Sequence, residues 1–347
     1  MPDAINTRCN APWKKNKVGE RARLALALTG GDIALPATGR IAVFGPRAGA
    51  DLSALPKERV QVITGLKPDH DHFAAVGYDC VVAPEGRYGA SLVCLPRAKA
   101  LAHALVAQAA ELTDGLVILD GAKTDGIESI LRDCRKRVTV SAPLSKAHGK
   151  IFGFAAGPEF ADWLHREPHE IEGGFVTTPG VFSADGIDPA SRLLGDALPA
   201  NLGGHVVDLG AGWGYLSARA LERDGIGRLD LVEADHAALD CARRNVPDLR
   251  ARFHWDDVIR WTPESRADAV IMNPPFHEGR TAEPDLGCAF IRAAAGMLKP
   301  SGALWLVANR HLPYEANLVQ HFAQVEETTG NTRFKILHAA RPARQPR

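Results

Sequence analysis

From residue 204 onward, short β-type apolar runs alternate with stretches whose apolar positions fall three or four residues apart. The runs cover residues 205–209, 229–233, 252–254, 269–272 and 303–308, and the intervening stretches cover 215–223, 236–245, 289–298 and 314–322. Such alternation predicts a parallel sheet with helices wound onto it. Two final runs, 324–327 and 333–338, flank a Thr-Thr-Gly-Asn turn and predict a β-hairpin.

The first half repeats these signals in order. Runs at 41–44, 60–64, 80–83 and 116–119 precede a terminal pair near 138–140 and 151–154, with helical stretches at 97–112 and 124–134. Repetition on this scale predicts an internal duplication of one α/β unit. The fold class expected is therefore α/β, with two tandem Rossmann-like domains, each a mostly parallel sheet closed by a β-hairpin. Gly157-Pro158, Pro168 and Gly173-Gly174 interrupt the periodicity, which sets a linker at 155–174 between domains at 1–154 and 175–347.

Composition narrows the class. The 347 residues are 46% hydrophobic and 24% charged, with no apolar run near the length of a bilayer span, which points to a globular chain outside the membrane. Five apolar residues, Leu24 to Leu28, follow the basic N-terminal stretch and are too few for a signal peptide, so a cytoplasmic location is expected. The six cysteines are scattered, which predicts reduced thiols and no zinc site. Asp69-His70-Asp71-His72 follows Lys67-Pro68 and reads as a solvated loop, so no metal is expected. The formal net charge of zero does not favour phosphate binding over the whole surface. Basic residues are instead concentrated at Lys14, Lys15, Lys17, Arg21 and Arg23, and in a tail with Arg333, Lys335, Arg341, Arg344 and Arg347.

The chemistry concentrates at strand ends of the second half. Val206 to Gly214 closes a strand with glycines at 210, 212 and 214, where a parallel sheet holds ligands and small residues allow close backbone approach. A dinucleotide fingerprint needs its third glycine one residue later, at the place of Tyr215. Asp208 with Gly210, Gly212 and Gly214 instead resembles the first motif of class I S-adenosylmethionine-dependent methyltransferases. The resemblance implies that this loop faces the amino-acid part of the cofactor. Glu233, ending the next strand, would then accept the ribose hydroxyls, and Asp256 or Asp257, with Asp257 favoured, would meet the adenine amine.

The fourth strand ends in Asn273-Pro-Pro-Phe276. An exocyclic amine conjugated to a ring is a poor nucleophile because its lone pair is delocalised. The Asn273 side-chain oxygen and the Pro274 carbonyl can take both amine hydrogens and turn the lone pair towards a methyl donor. Phe276 would stack on the substrate base, a contact of about 1–3 kcal/mol, and His277 and Glu278 are the candidates to carry the proton away.

On these residues the chain resembles the bacterial small-subunit (16S) ribosomal RNA guanine-N2 methyltransferases of the RsmC type. The resemblance also rests on Pro179 to Ser183, Gly186 to Asp188, Val307 to Asn309, Leu312 to Tyr314 and Thr332 to Lys335. It implies methyl transfer from S-adenosylmethionine to a guanine N2 amine, with ribosomal RNA or the small subunit as partner; a monomer is expected. Asn273, Pro274 and Phe276 would be catalytic, and Phe276, His277 and Lys335 would contact substrate. The rival readings are the same reaction on 23S RNA, a protein glutamine-N5 methyltransferase, and a non-enzymatic RNA-binding assembly factor. The family pattern also implies a non-catalytic first domain, in which Gly45 to Gly49 replaces the cofactor loop and Val43 stands for Asp208. Pro46 and Arg47 would fill the cofactor space, and Ala83 or Pro84 would oppose Asn273. Lys14 to Lys17, Lys99, Lys146 and Lys150 are this domain's candidate phosphate contacts.

Overall fold

The computed structural model describes residues 18–30, 33–165, 167–275, 277–278, 281–282 and 284–343. Its first part runs α1 (Val18–Thr29), β1 (Ile41–Phe44), β2 (Val60–Ile63), α2 (Lys67–Ala75), β3 (Asp79–Val81), β4 (Tyr88–Cys94), α3 (Lys99–Leu112), β5 (Thr113–Ala122), α4 (Ile127–Arg135), β6 (Leu144–Lys146) and β7 (Gly149–Ala155). A short antiparallel pair, β8 (His169–Glu170) and β9 (Val176–Thr177), follows. The second part runs α5 (Pro189–Ala197), β10 (His205–Leu209), α6 (Tyr215–Leu221), β11 (Arg228–Glu233), α7 (His236–Asn245), β12 (Ala251–Trp255), β13 (Ala267–Met272), β14 (His277–Glu278), β15 (Thr281–Ala282), α8 (Pro284–Met297), β16 (Leu298–Asn309), α9 (Tyr314–His321), β17 (Phe322–Gly330) and β18 (Phe334–Pro342).

Two seven-stranded sheets result, ordered β3-β2-β1-β4-β5-β7-β6 and β12-β11-β10-β13-β16-β18-β17. In each, five parallel strands are closed by an antiparallel pair. The central parallel strands are buried on both faces because helices cover both. In the second sheet Val206, Leu231 and Ile271 pack with Leu194, Leu216 and Leu239 of α5, α6 and α7. Val207, Val232 and Val270 pack with Ile291 and Leu318 of α8 and α9 on the other face. Each such aliphatic, fully buried, contributes roughly 1.5–3 kcal/mol.

Several local expectations are corrected. The first sheet contains β4, which the sequence does not announce because Gly89, Ala90 and Ser91 dilute its β-type run. The terminal pair uses residues 144–146 rather than 138–140. Residues 67–75 form α2 instead of a solvated loop: Phe73 is 1% exposed, and Asp69, 3% exposed, accepts the Ala48 N–H at 2.7 Å. Arg23 is not part of a solvated basic terminus; it is 3% exposed and forms an ion pair with Asp120. In the stretch read as linker, Phe160 and Trp163 are packed into the first core, with Trp163 stacked on His103 at 3.8 Å.

The two ladders superimpose on one shared bond, since Gly45 N donates to Ile63 O at 2.9 Å as Gly210 N donates to Val232 O at 2.9 Å. In that register Val43 answers Asp208, and Thr64 answers Glu233. Cys94, rather than Ala83 or Pro84, answers Asn273. The two units dock through equivalent residues: Lys67 N donates to Ala234 O at 2.8 Å and His236 N to Gly65 O at 2.9 Å, on either side of an antiparallel Leu66–Asp235 bridge. Like meeting like about a local two-fold axis is the geometry of an isologous interface.

Candidate active site

The carboxyl ends of β10, β11 and β13 lie side by side and bring three sequence-distant segments together. After β10 the chain turns sharply through Gly210 (φ +75), Gly212 (φ +56) and Gly214 (φ +91). A side chain at Gly214 would be strained by that φ and would place its Cβ 2.9 Å from Val246 Cγ2. The Gly212 N–H donates to Glu233 Oε2 at 2.8 Å, which ties the loop to the end of β11. Asn245 fastens the loop from behind, donating to Trp213 O at 2.8 Å while its Oδ1 accepts from Val176 N at 2.7 Å.

Asp208 is fully buried and accepts the Ser217 hydroxyl at 2.7 Å through Oδ2, while its buried Oδ1 has no hydrogen-bond partner. Burial, reinforced by the nearby Glu233 charge, pushes its carboxyl up to about 7 against the opposing Ser217 bond. Burial also pushes Glu233 up to about 7, although the backbone N–H groups of Asp235 and Gly212 favour its charged form. Two adjacent carboxyls held this way, one with an orphaned oxygen, suit a cationic ligand that also carries hydroxyl donors. Asp256 and Asp257 follow β12, where Asp256 Oδ1 accepts the Asp257 N–H at 2.7 Å. Asp257 Oδ1 accepts Ile259 N at 3.0 Å, and its other oxygen lies 3.6 Å from Arg260. Both acids thus hold the local turn and stand at the edge of the same row of strand ends.

At the end of β13, Asn273 donates through Nδ2 to Asp188 Oδ2 at 3.0 Å and to Ser191 Oγ at 2.9 Å, and Pro274 is buried. A cleft is lined by Asn273, Asp188, Ser191, Gly210, Gly212 and Phe182. Phe182 is 56% exposed at its rim, with its carbonyl held by Trp213 Nε1 at 2.9 Å. Asp188, Ser191 and Phe182 are among the site-lining residues to which the sequence assigned no role. An Asp-Pro-x-Ser helix start was the available signal for the first two.

Phe276 lies outside the described residues, as do Lys14 to Lys17, and of His277 only the backbone, within β14, is described. Lys335, expected to touch RNA, is 5% exposed with Nζ 2.5 Å from Glu315 Oε1, so its charge is already committed. Lys99 and Lys150 are paired with Asp133 and Glu128, each at 3.0 Å. Among the described residues no group of His, Cys, Asp or Glu has the arrangement to hold a metal ion.

At the matching end of the first sheet, Arg47 does not fill the space. Its guanidinium lies over Asp69 at 3.4 Å, and a cavity of about 630 Å³ remains between that sheet and the start of α7. Val43, Thr64 and Cys94 occupy the positions of Asp208, Glu233 and Asn273 there.

Comparison with known proteins matches residues 172–338 to the methyltransferase small domain family. The ribosomal RNA small subunit methyltransferase C of Shewanella pealeana is 31% identical over 258 residues, which covers 71% of this chain and 75% of that protein. The ribosomal RNA large subunit methyltransferase G of Shewanella amazonensis is 36% identical over 167 residues, 46% of this chain and 44% of its own length. Among solved structures, the T. thermophilus 16S rRNA N2 G1207 methyltransferase (RsmC), in complex with AdoMet and guanosine, superimposes with a TM-score of 0.76 at 27% identity, covering 92% of this chain and 91% of its own.

Proposed function

The chain belongs to the ribosomal RNA small subunit methyltransferase C family, and from that premise we propose that its second sheet carries the catalytic site for methyl transfer from S-adenosylmethionine to the exocyclic N2 amine of a guanine in 16S ribosomal RNA. The observation that carries this reading is the alignment of Asn273-Pro274 with the glycine loop, Asp208 and Glu233 on three adjacent strands. S-adenosylmethionine supplies an electrophilic methyl group. The glycine loop, Asp208 and Glu233 would hold it, with Asp256 or Asp257 at its adenine end. Asn273 Oδ1 and the Pro274 carbonyl accept the two amine hydrogens, which directs the nitrogen lone pair at the methyl group. Most of the rate then comes from this orientation. No strong base is needed before transfer, because the amine becomes acidic once it carries the methyl group and a positive charge. Phe276 and His277 follow in the sequence as the base-stacking and proton-accepting candidates.

The first unit acts as a non-catalytic partner that packs on the second. Val43, Thr64 and Cys94 offer no carboxylate or amide where the second sheet has Asp208, Glu233 and Asn273. The chain is read as a monomer working in the cytoplasm on RNA or the small subunit. None of the described helices is long and apolar enough to cross a membrane.

Similarity to a large-subunit enzyme makes 23S RNA the second reading. The test is tritiated methyl transfer to separated 16S and 23S RNA, each free and in its subunit, followed by nucleoside analysis. The expected outcome is N2-methylguanosine from 16S RNA, with the Asn273→Ala rate lower by about 100-fold or more. Label in 23S RNA alone would move the chain to the large-subunit reading. RNA binding without label would leave the assembly-factor reading.

A further inference from the structure

Asn273 can present either its oxygen or its NH2 group to an incoming amine, and only the oxygen is productive. An NH2 group facing an amine sets donor against donor. The proposed chemistry therefore depends on which way the amide is turned, and the backbone of β13 does not decide that. The neighbours of the side chain do.

We propose that Asp188, assisted by Ser191, is the positioning residue that locks the Asn273 amide with its oxygen towards the substrate amine. This inference rests on the methyltransferase reading and adds a residue pair to it. Both Nδ2 hydrogens are consumed, one by Asp188 Oδ2 at 3.0 Å and one by Ser191 Oγ at 2.9 Å. With the amide turned over, Oδ1 would face a carboxylate oxygen that has no proton to give. Donation from the amide to a carboxylate also polarises the amide and leaves more negative charge on Oδ1, which makes it a stronger acceptor for the amine. Asp188 is itself held still. It is the N-cap of α5, and the same Oδ2 accepts Ser191 N at 2.8 Å. The lock joins the start of α5 to the end of β13, 85 residues away in the chain. Its members line the cleft with Gly210 and Gly212.

The test must separate orientation of Asn273 from capping of α5. Asp188→Ser keeps a good N-cap but is too short to reach Asn273. Ser191→Ala removes the second acceptor and leaves the backbone cap donor in place. Expected for the full-length chain with its RNA substrate is a kcat lower by about 10- to 100-fold for Asp188→Ser and by a smaller factor for Ser191→Ala. RNA KM and the calorimetric Kd for S-adenosylmethionine should stay within about twofold of wild type. Asp188→Asn, which retains an acceptor oxygen, should recover part of the rate. In an Asn273→Ala background, Asp188→Ser should cost nothing further, since a residue acting through Asn273 has nothing left to act on.

Wild-type kcat in Asp188→Ser, a loss lying wholly in cofactor affinity, or an undiminished loss in the Asn273→Ala background would each overturn the positioning role. A wild-type chain that methylates no guanine would instead fail the functional reading itself.

Discussion

At the scale of single residues, the two acids proposed to hold the cofactor, Asp208 and Glu233, are unfavourable to the fold because they are buried. Burial pushes both Asp208 and Glu233 up to about 7, against unfolded values near about 4. The native chain without cofactor therefore binds more protons than the unfolded chain between about pH 4 and pH 7, and their contribution to stability falls as pH rises through that window. A cation bearing hydroxyl donors favours the ionised forms. Affinity for S-adenosylmethionine should accordingly rise from about pH 6 to about pH 8, with proton release on binding. Calorimetry in buffers of different ionisation enthalpy measures both, and a flat pH profile would remove the two acids from the cofactor contact. Asp208→Asn should raise the melting temperature of the cofactor-free protein at about pH 8 by about 2–4 °C. The same variant should weaken cofactor binding by about tenfold or more. Lys335 belongs to this scale as well. Its place in the chain suggested a free phosphate contact, but a neighbour from α9 neutralises it, and sequence spacing carries no information about that pairing.

At the scale of elements, the loop between β10 and α6 shows how much of the site a sequence can specify. Its spacing of glycines was legible because each relieves a backbone constraint that any side chain would violate. The three positions are nonetheless unequal. A Cβ at Gly214 would meet Val246 and Ala242 at 2.9 and 3.2 Å, whereas one at Gly212 would meet nothing within 4 Å. Gly214→Ala is expected to destabilise the protein by about 2–4 kcal/mol through positive φ and overlap together, and Gly212→Ala by about 1–2 kcal/mol through φ alone. Urea denaturation compares them, and the reverse order would contradict this account of the loop. Elements with diluted signals were not legible. The β-type run of β4 is weakened by Gly89 and Ser91, and the helical character of α2 was masked by Lys67-Pro68 and four further polar residues. Both form because tertiary burial of Leu92, Val93 and Phe73 overrides weak local preference.

At the scale of the whole molecule, the docking of one sheet's loops on the other's brings the first unit to the edge of the proposed catalytic site. Trp255 Nε1 donates to Gly65 O at 2.8 Å and to Ala234 O at 2.9 Å, and His70 of α2 packs edge-on against its ring at 5.1 Å. Trp255 immediately precedes Asp256, so this contact also supports the turn proposed for adenine. Trp255→Phe, which keeps the ring contact and loses the donor, should cost about 1–2 kcal/mol of stability. A chemical denaturation midpoint equal to wild type would show that this bond does not hold the two units together.

The sequence by itself determined the duplicated α/β order, the glycine turn and the placing of Asp208, Glu233 and Asn273 at or just beyond strand ends. All of these follow from local periodicity, backbone freedom or a short motif. Only the tertiary structure decided that Asp188 and Ser191 accept from the Asn273 amide, that Cys94 stands where the second sheet has Asn273, that Lys335 is already paired, and that equivalent loops meet about a local two-fold axis. Those facts depend on contacts between segments tens of residues apart, and nothing in the chain's local pattern records which distant side chain will supply a hydrogen-bond acceptor once the strands are aligned.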